Sequence, residues 1–251
     1  MSPLSAWQAK SRSEYNQLMS SVMRSPATND PRDQPAYGLA EAARYLKLPV
    51  ATLRAWTFGR QYPTARGEGR FRPLIRPASK RPPLLSFSNL IEAHVLRALR
   101  TEHGVSVKAL REAVCFAERK LDIERLLLRP ELRADAGRIF LDRYGELINL
   151  SASGQLAMRQ VLNAHLRRVT WKDHFPTRLH PFVLGDGKDA DMPIAIDLSI
   201  SFGRPVVVSR GVSTAAIVGR IDAGESIADI AADYDLSQED IEHAVVYERA
   251  A

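Results

Sequence analysis

The sequence predicts an α+β fold with a winged helix-turn-helix first, a mixed middle region with β-hairpins, and a small three-helix unit last. Apolar residues recur at helical spacing in two short segments on either side of a Leu-Pro break. A stretch rich in Gly, Pro and Arg follows them, and a second group of short helical segments occupies the C-terminal part. The predicted limits are 1–35 for a flexible tail, 36–125 for the winged helix-turn-helix, 126–200 for the connecting region and 201–251 for the C-terminal unit.

The helix-turn-helix is predicted from residues 37–57. Leu39, Ala42, Ala43 and Leu46 share one face of a first helix, which the Leu48-Pro49 pair ends. Proline suits the start of a second helix, because its fixed φ is helical and its missing N–H is not needed there. Leu53 and Trp56 would form the buried side of this second helix.

A β-hairpin wing is predicted next. Residues 71–75 and 84–87 read as two extended pieces, and the basic, proline-rich segment 76–83 reads as the turn between them. A helix capped at Ser88-Asn89 and ending at His103-Gly104 should follow, and then a helix through Val107 and Leu121.

The middle region mixes both kinds of element. Residues 137–150 predict a hairpin with its turn at 142–145, and residues 154–170 predict an amphipathic helix. Residues 178–184 and 194–200 predict two strands that flank a loop.

The C-terminal unit should contain one strand and three helices. Pro205–Val208 is a strand-like apolar run, and Ser213-Thr214 opens a helix that Gly224 ends. A second helix carries Ile227, Ile230 and Ala231, and Ser237 caps the third.

Bulk composition excludes several classes of protein. A length of 251 residues suits two domains, and no apolar run approaches the roughly 18 residues of a membrane span. The one cysteine, Cys115, excludes an intramolecular disulfide framework and a multi-cysteine zinc site, and it is expected in a helix core. We therefore expect a cytoplasmic protein without a membrane association.

Charge is distributed unevenly along the chain. Residues 54–81 contain eight basic residues and one acid, Glu68, whereas residues 211–251 contain nine acids and two arginines. The first segment should attract polyanions and the second should repel them. The basic residues are Arg54, Arg60, Arg66, Arg70, Arg72, Arg76, Lys80 and Arg81.

These charges suggest which residues bind DNA. The second helix of a helix-turn-helix lies in the major groove, so Thr52 and Arg54 in its first turns would contact base edges. Residues that would neutralise phosphates follow the helix: Arg60, Arg66, Arg70, Arg72 and Arg76. The last predicted helix instead begins with three acids within 237–242, so we expect the C-terminal unit to bind protein, as a dimer interface or as a docking surface for a partner protein. A plain structural cap is the alternative.

Two segments resemble known families. Tyr37–Leu46 followed by Thr52–Trp56 resembles the start of a MerR-type winged helix, although a single cysteine argues against a metal sensor of that family. The segment from Gly203 to Ala244 resembles a small helix-turn-helix domain of antitoxins. The combination of these two segments with Leu85–Phe87 and Leu90–Leu96 resembles VapB-type antitoxins. This resemblance implies a partner toxin of PIN-like ribonuclease fold and repression of the shared operon.

The sequence thus favours a DNA-binding antitoxin, with a MerR-like regulator that responds to a small molecule as the alternative. An enzyme is not expected, since no cluster of carboxylates or histidines has useful spacing and no glycine-rich phosphate loop occurs. The expected partners are the DNA of its own operator and the toxin, and no cofactor or metal is expected. A homodimer or a higher even oligomer is predicted, because such operators are usually palindromic.

Overall fold

The computed structural model describes residues 30–64, 67–100, 107–133, 135–147, 152–185 and 191–250. Most of the predicted tail, residues 1–35, lies outside these ranges. The described chain is α+β, as predicted, with short helices and antiparallel sheets. Short 3-10 helices occur at Pro31–Asp33, Leu126–Leu128, Pro130–Arg133 and Ser201–Gly203.

The predicted helix pair is confirmed. Strand β1 (Tyr37–Gly38) leads into helix α1 (Leu39–Tyr45), and helix α2 (Val50–Phe58) begins directly after Pro49. Leu53 and Trp56 are fully buried, as their spacing predicted. The turn that separates the helices is short because Leu48-Pro49 cannot continue α1.

The hairpins form from other residues than predicted. Strands β2 (Arg60–Thr64) and β3 (Gly67–Phe71) pair antiparallel, a hairpin that the sequence analysis missed. Strands β4 (Ser79–Lys80) and β5 (Pro83–Leu85) form a second, tight hairpin, and β5 also pairs with β1. The prediction that 71–75 pairs with 84–87 is therefore wrong. Prolines lack the N–H of a ladder bond, and the amides of Leu74 and Ile75 are bound by α2 instead.

Two long helices follow, α3 (Phe87–Arg100) and α4 (Val107–Leu121). The cap of α3 is Ser86 and not Ser88-Asn89, since the Ser86 hydroxyl oxygen accepts the N–H of Asn89 at 3.2 Å. The predicted end of this helix at His103-Gly104 lies outside the described residues. Cys115 on α4 is exposed, so its expected place in a core is wrong.

The predicted hairpin at 137–150 is wrong. Helix α5 (Asp135–Leu147) occupies that segment, and helix α6 (Ala152–Leu166) follows it. Phe140, Leu141 and Tyr144 are buried at helical spacing, and this packing overrides the turn-like sequence of 142–145. Helix α6 confirms the predicted amphipathic helix, except that it ends earlier and Val169 lies in a strand.

A five-stranded antiparallel sheet is formed by strands that all lie within residues 169–213. Its order is β10-β9-β8-β7-β6. The predicted strand at 194–200 is confirmed in its first half, whereas the one at 178–184 lies earlier, and β6 was missed. The strands are β6 (Val169–Lys172), β7 (Phe175–Leu179), β8 (Ile194–Asp197), β9 (Pro205–Val207) and β10 (Val212–Ser213).

The C-terminal helices are as predicted. They are α7 (Thr214–Asp222), α8 (Ile227–Tyr234) and α9 (Gln238–Arg249). The hydroxyls of Ser226 and Ser237 cap α8 and α9 by accepting the N–H groups of Asp229 and Asp240.

Two apolar cores meet at the large sheet. Ile196 of β8 belongs to a core that contains Tyr37, Trp56 and most of α3, and Ile194 of the same strand belongs to the core of α7–α9. Because one strand contributes to both cores, the packing does not mark a boundary between domains. The domain limits predicted within 36–251 therefore remain predictions. Among the described residues, we find no helix of the length and apolarity that a bilayer crossing requires.

Candidate nucleic-acid interface

Helix α2 exposes the face that the sequence assigned to DNA. Leu53 and Trp56 are buried, whereas Val50, Ala51 and Arg54 are exposed and Thr52 is half-buried. Within a helix of nine residues this leaves one face for packing and one for a ligand. The exposed face is the one that the sequence analysis predicted to enter a major groove.

The chain beyond β3 is anchored to the end of α2. The carbonyl oxygen of Trp56 accepts hydrogen bonds from the amides of Leu74 (2.7 Å) and Ile75 (3.0 Å). Ile75 is buried, and Arg72 and Arg76 on either side of this pair are exposed. Two predicted phosphate contacts are thereby held next to the predicted recognition helix.

Asn89 on α3 fastens the same segment a second time. Its Oδ1 accepts the amides of Ala78 (3.0 Å) and Ser86 (3.1 Å), and its Nδ2 donates to the carbonyl of Arg76 (2.9 Å) and to Oε2 of Glu92 (2.9 Å). The side chain is buried and all four of its hydrogen-bonding positions are used. Arg76 is therefore held between two rigid attachments.

Glu92 extends this network towards the N-terminal side of the fold. Its Oε1 accepts from Nε of Arg125 (3.3 Å), which donates through Nη1 to Asp33 (2.8 Å). Burial raises the pKa of Glu92 above its usual value, although Arg125 and Asn89 oppose the shift. The network is structural, since its members bond to one another.

The turn between α1 and α2 is bound from two sides. The carbonyl of Leu46 accepts Nη1 of Arg97 on α3 (2.7 Å), and the carbonyl of Tyr45 accepts the hydroxyl of Tyr247 on α9 (3.1 Å). Arg44 also forms an ion pair with Glu248, whose Oε1 accepts the Thr214 hydroxyl. We call the contacts of Arg44 and Tyr45 with Tyr247 and Glu248 the α1–α9 clasp.

Lys47 in the same turn packs against α9. Its Nζ lies 4.2 Å from the centroid of the Tyr247 ring, a cation–π contact. Burial lowers the pKa of Lys47. The C-terminal unit therefore helps to fix the geometry of the helix-turn-helix.

Two histidines lie buried behind the helix-turn-helix. Nε2 of His94 on α3 donates to the carbonyl of His165 on α6 (3.1 Å), and Nδ1 of His165 donates to the carbonyl of Val161 (3.1 Å). Burial, together with the positive charges of Arg168 and Arg97, lowers the pKa of His94 to about 3 and that of His165 to about 4. Both rings are neutral at pH 7.

No metal centre is seen in the part of the chain that the structure describes. No group of three or more His, Cys, Asp or Glu side chains there could hold an ion. His174, for example, lies 3.6 Å from a single carboxylate, that of Glu131.

The predicted DNA-binding residues divide into three sets. Arg54, Arg60, Arg72 and Arg76 are exposed, and Thr52 is half-buried. Arg60 pairs through its backbone with Phe71, so it lies at the same end of the β2–β3 hairpin as Arg72. Arg66 and the side chain of Arg70 lie outside what the structure describes. Their roles in DNA binding remain predictions.

Two different family models match the two ends of the chain. Residues 35–114 match a family model described as "Putative DNA-binding HTH domain", and residues 194–247 match one described as "Protein of unknown function (DUF433)". Over 232 residues the chain is 26% identical to a Mycobacterium tuberculosis protein named "Putative antitoxin VapB45", covering 85% of this chain and 93% of that protein. The chain resembles VapB-type antitoxins over most of its length. The resemblance drawn from the sequence is thereby confirmed.

One further protein and one solved structure, both from M. tuberculosis, are also similar. "Uncharacterized protein Rv2308" is 27% identical over 225 residues, covering 86% of this chain and 90% of that one. The crystal structure of Rv2018 superposes with a TM-score of 0.60 at 22% identity, covering 84% of this chain and 97% of that chain, and it supports the fold alone.

Two exposed cations were not predicted as DNA contacts from the sequence. Lys80 and Arg81, at the turn between β4 and β5, are exposed cations. They were counted in the basic run, and this charge signal could have placed them among the phosphate contacts. The α1–α9 clasp had no such signal, because its residues lie about 200 positions apart, as the separation of Tyr45 and Tyr247 shows.

The acids of the C-terminal unit are partly paired. Arg220 contacts both Glu225 and Asp233, Arg210 pairs with Asp235, and Arg249 pairs with Asp222. Glu239 and Glu242 on α9 are exposed, and Glu239 lies 3.7 Å from Nε2 of His243 on the same helix. This unit thus keeps an anionic surface at the start of its last helix, where phosphates would be repelled.

Proposed function

We propose that this chain is the antitoxin of a type II toxin–antitoxin pair. It binds and neutralises a ribonuclease toxin of PIN-like fold, and it represses its own operon by binding the operator as a homodimer or higher even oligomer. The observation that carries the proposal is the helix-turn-helix, whose helix α2 buries Leu53 and Trp56 and exposes Arg54. The similarity to a protein named as an antitoxin supports it.

The DNA-binding part of the proposal follows from charge and anchoring. Arg72 and Arg76 flank the backbone that is bound to the end of α2, so they can contact phosphates while α2 occupies the groove. Each phosphate neutralised releases counterions, so the affinity should fall steeply with salt. A two-fold assembly would place two copies of α2 one helical turn apart on a palindrome.

The toxin-binding part rests on the relative's name and on the contrast between the two ends. Exposed acids at the start of α9 disfavour a second DNA contact, which leaves the C-terminal unit for protein. We also propose that the chain acts in the cytoplasm and performs no catalysis itself. The proposal of no catalysis is supported by the sequence, which lacks a carboxylate or histidine cluster of useful spacing.

Co-expression with the adjacent gene tests the toxin-binding part. We expect the adjacent gene's product to be a toxic ribonuclease, to co-purify with this chain, and to lose its activity in the complex. The mass of the complex gives the stoichiometry. An adjacent product that neither binds this chain nor is inhibited by it would refute this part of the proposal.

The operator test uses duplex DNA from upstream of the gene. We expect tight binding that weakens steeply between low and physiological salt. Randomising the duplex only outside the two half-sites should change the affinity little. A small molecule that abolishes this binding would favour the ligand-responsive regulator instead.

Arg54→Ala should lose sequence preference. Removing a bidentate donor to guanine reduces discrimination against random duplex by about 1–3 kcal/mol. Fluorescence anisotropy with operator and random duplexes of equal length measures this difference, and Arg167→Ala, a change at an exposed arginine after α6, serves as the control.

Arg72→Ala is the matched comparison, because it removes a phosphate contact. It should weaken both duplexes alike and reduce the slope of log K against log salt by about 1. Equal losses on both duplexes for Arg54→Ala would contradict the base-reading role of Arg54.

A further inference from the structure

Phe202 is the most exposed large apolar side chain of the described ranges. It is 93% exposed, whereas the other exposed large apolar side chains there range from 38% to 58%. It lies in the 3-10 turn Ser201–Gly203 between β8 and β9. A phenylalanine ring in water forgoes the free energy of burial, so a ring displayed in this way is suited to an interface.

The backbone under this ring is held in an unfavourable conformation. Ser201, Phe202 and Gly203 have φ values of 49°, 55° and 73°, three successive residues in the left-handed region. For residues with a side chain this conformation is unfavourable and persists only where the surroundings impose it. Such strain is found at binding and functional sites more often than elsewhere.

Tertiary contacts impose this conformation. The carbonyl of Gly203 accepts the hydroxyl of Tyr37 (3.0 Å), and its amide donates to Ile200 (3.0 Å). A Cβ on Gly203 would lie 2.3 Å from the Tyr37 oxygen, so glycine is required by the close approach. These contacts fix the backbone under Phe202, so little backbone entropy is left to lose on binding.

Asp197 supports the turn from below. Its Oδ1 accepts the amide (2.8 Å) and hydroxyl (2.5 Å) of Ser199, and its Oδ2 accepts Nε of Arg178 (2.9 Å). Burial would raise the pKa of Asp197, but these hydrogen bonds lower it below its usual value. The carboxylate is thus bound to Ser199, just ahead of the turn, and paired with Arg178.

An exposed cation, Arg204, lies two residues after Phe202. It acts electrostatically on Tyr45, as do Arg44 of the clasp and, with the opposite sign, the carboxylate of Glu41. A complementary surface would offer an apolar pocket for the ring and carboxylates around it. The turn is attached to Tyr37, ahead of α1, whereas the predicted DNA contacts lie on α2 and the residues after it.

We propose that Phe202 is the anchor with which this chain docks its protein partner, a protein with an apolar pocket bordered by carboxylates. The inference rests on the proposed function, because the toxin is that partner. The ring enters the pocket, and Arg204 pairs with an acid at its edge.

Binding measurements on the full chain test this. Isothermal titration with the purified product of the adjacent gene should show Phe202→Ala binding at least tenfold more weakly than the wild type. Phe202→Tyr should stay within about threefold, since it keeps an aromatic anchor. Leu156→Ala, at an exposed leucine on α6, should be unchanged and serves as the control. All variants should unfold at the wild-type temperature.

The outcomes separate this inference from the proposed function. Wild-type chain that does not bind the adjacent product at all would overturn both. Wild-type binding that Phe202→Ala leaves intact would overturn only the role of Phe202. Operator affinity should be the same in Phe202→Ala and wild type. A loss of DNA affinity, or a change of oligomeric mass, with intact partner binding would assign the ring to DNA or to a second copy and refute the proposal.

Discussion

Lowering the pH from 7 to 5 should reduce the free energy of unfolding by about 2 kcal/mol for each of His94 and His165. Folding lowers the pKa of these rings to about 3 and about 4, so they stay neutral in the folded state while the unfolded chain takes up protons below about pH 6.5. Stability is thus present above pH 6.5 and is lost as the pH falls towards 4. The neighbouring Arg97 and Arg168 oppose protonation in the folded state.

Urea unfolding at pH 7, 6 and 5 measures this loss. His94→Gln combined with His165→Gln should flatten the pH dependence relative to wild type by roughly 4 kcal/mol over this range. His174→Gln, at an exposed histidine, is the control and should keep the wild-type slope. Glu92, whose pKa is raised, acts in the opposite direction in both proteins, so comparing the slopes removes its contribution. Identical slopes in the double variant and wild type would contradict a neutral histidine pair.

Asn89→Leu should destabilise the fold by about 3 kcal/mol, because it leaves several buried polar groups without a partner. The side chain now serves two amides, one carbonyl and the buried carboxylate of Glu92. Leucine has a similar volume, so the loss reports hydrogen bonds more than packing.

The Asn89→Leu loss is measured by urea unfolding at pH 7. Asn163→Leu, at a half-buried asparagine on α6, should change stability by less than about 0.5 kcal/mol. The freed carbonyl of Arg76 should also loosen the segment after β3, so phosphate binding by Arg76 should weaken in the variant that remains folded. A loss below about 1 kcal/mol for Asn89→Leu would show that water replaces its bonds.

The elements that the sequence predicted correctly depend on short-range signals. Pro49 marks the start of α2, and Ser237 forms a capping box with Asp240 at α9. The buried face of α2 followed from Leu53 and Trp56 alone. These signals act within a few residues, so they can be read without knowing the tertiary contacts.

The errors arise where tertiary packing decides. Asp142 and Gly145 are typical turn residues, yet Gly145 lies within α5, where a Cβ would meet the Gln155 side chain at 2.7 Å. The glycine thus permits the close approach of α5 and α6, which the sequence interpretation took for a turn. Residues 71–75 contain apolar residues that suggested a strand, but the amides of Leu74 and Ile75 bind the carbonyl of Trp56 near the end of α2.

The candidate interface was predictable in part. The exposed arginines around α2 followed from charge and helical spacing. The attachments that position them, from Asn89 and Arg97, join residues far apart in the chain, and no local pattern predicts such pairs. The display of Phe202 could not be predicted from the sequence either, because the conformation of its turn depends on the contact between Tyr37 and Gly203.

The α1–α9 clasp makes the two terminal modules mutually dependent. A dissected fragment of residues 36–125 would lose the Tyr247 hydroxyl from the Tyr45 carbonyl, the carboxylate from Arg44 and the aromatic ring from Lys47. Such a fragment is a poor surrogate for the intact chain, because the angle between its first two helices is no longer braced. Under the proposed function, a change that loosens α9 would by the same linkage weaken the base contacts proposed for α2.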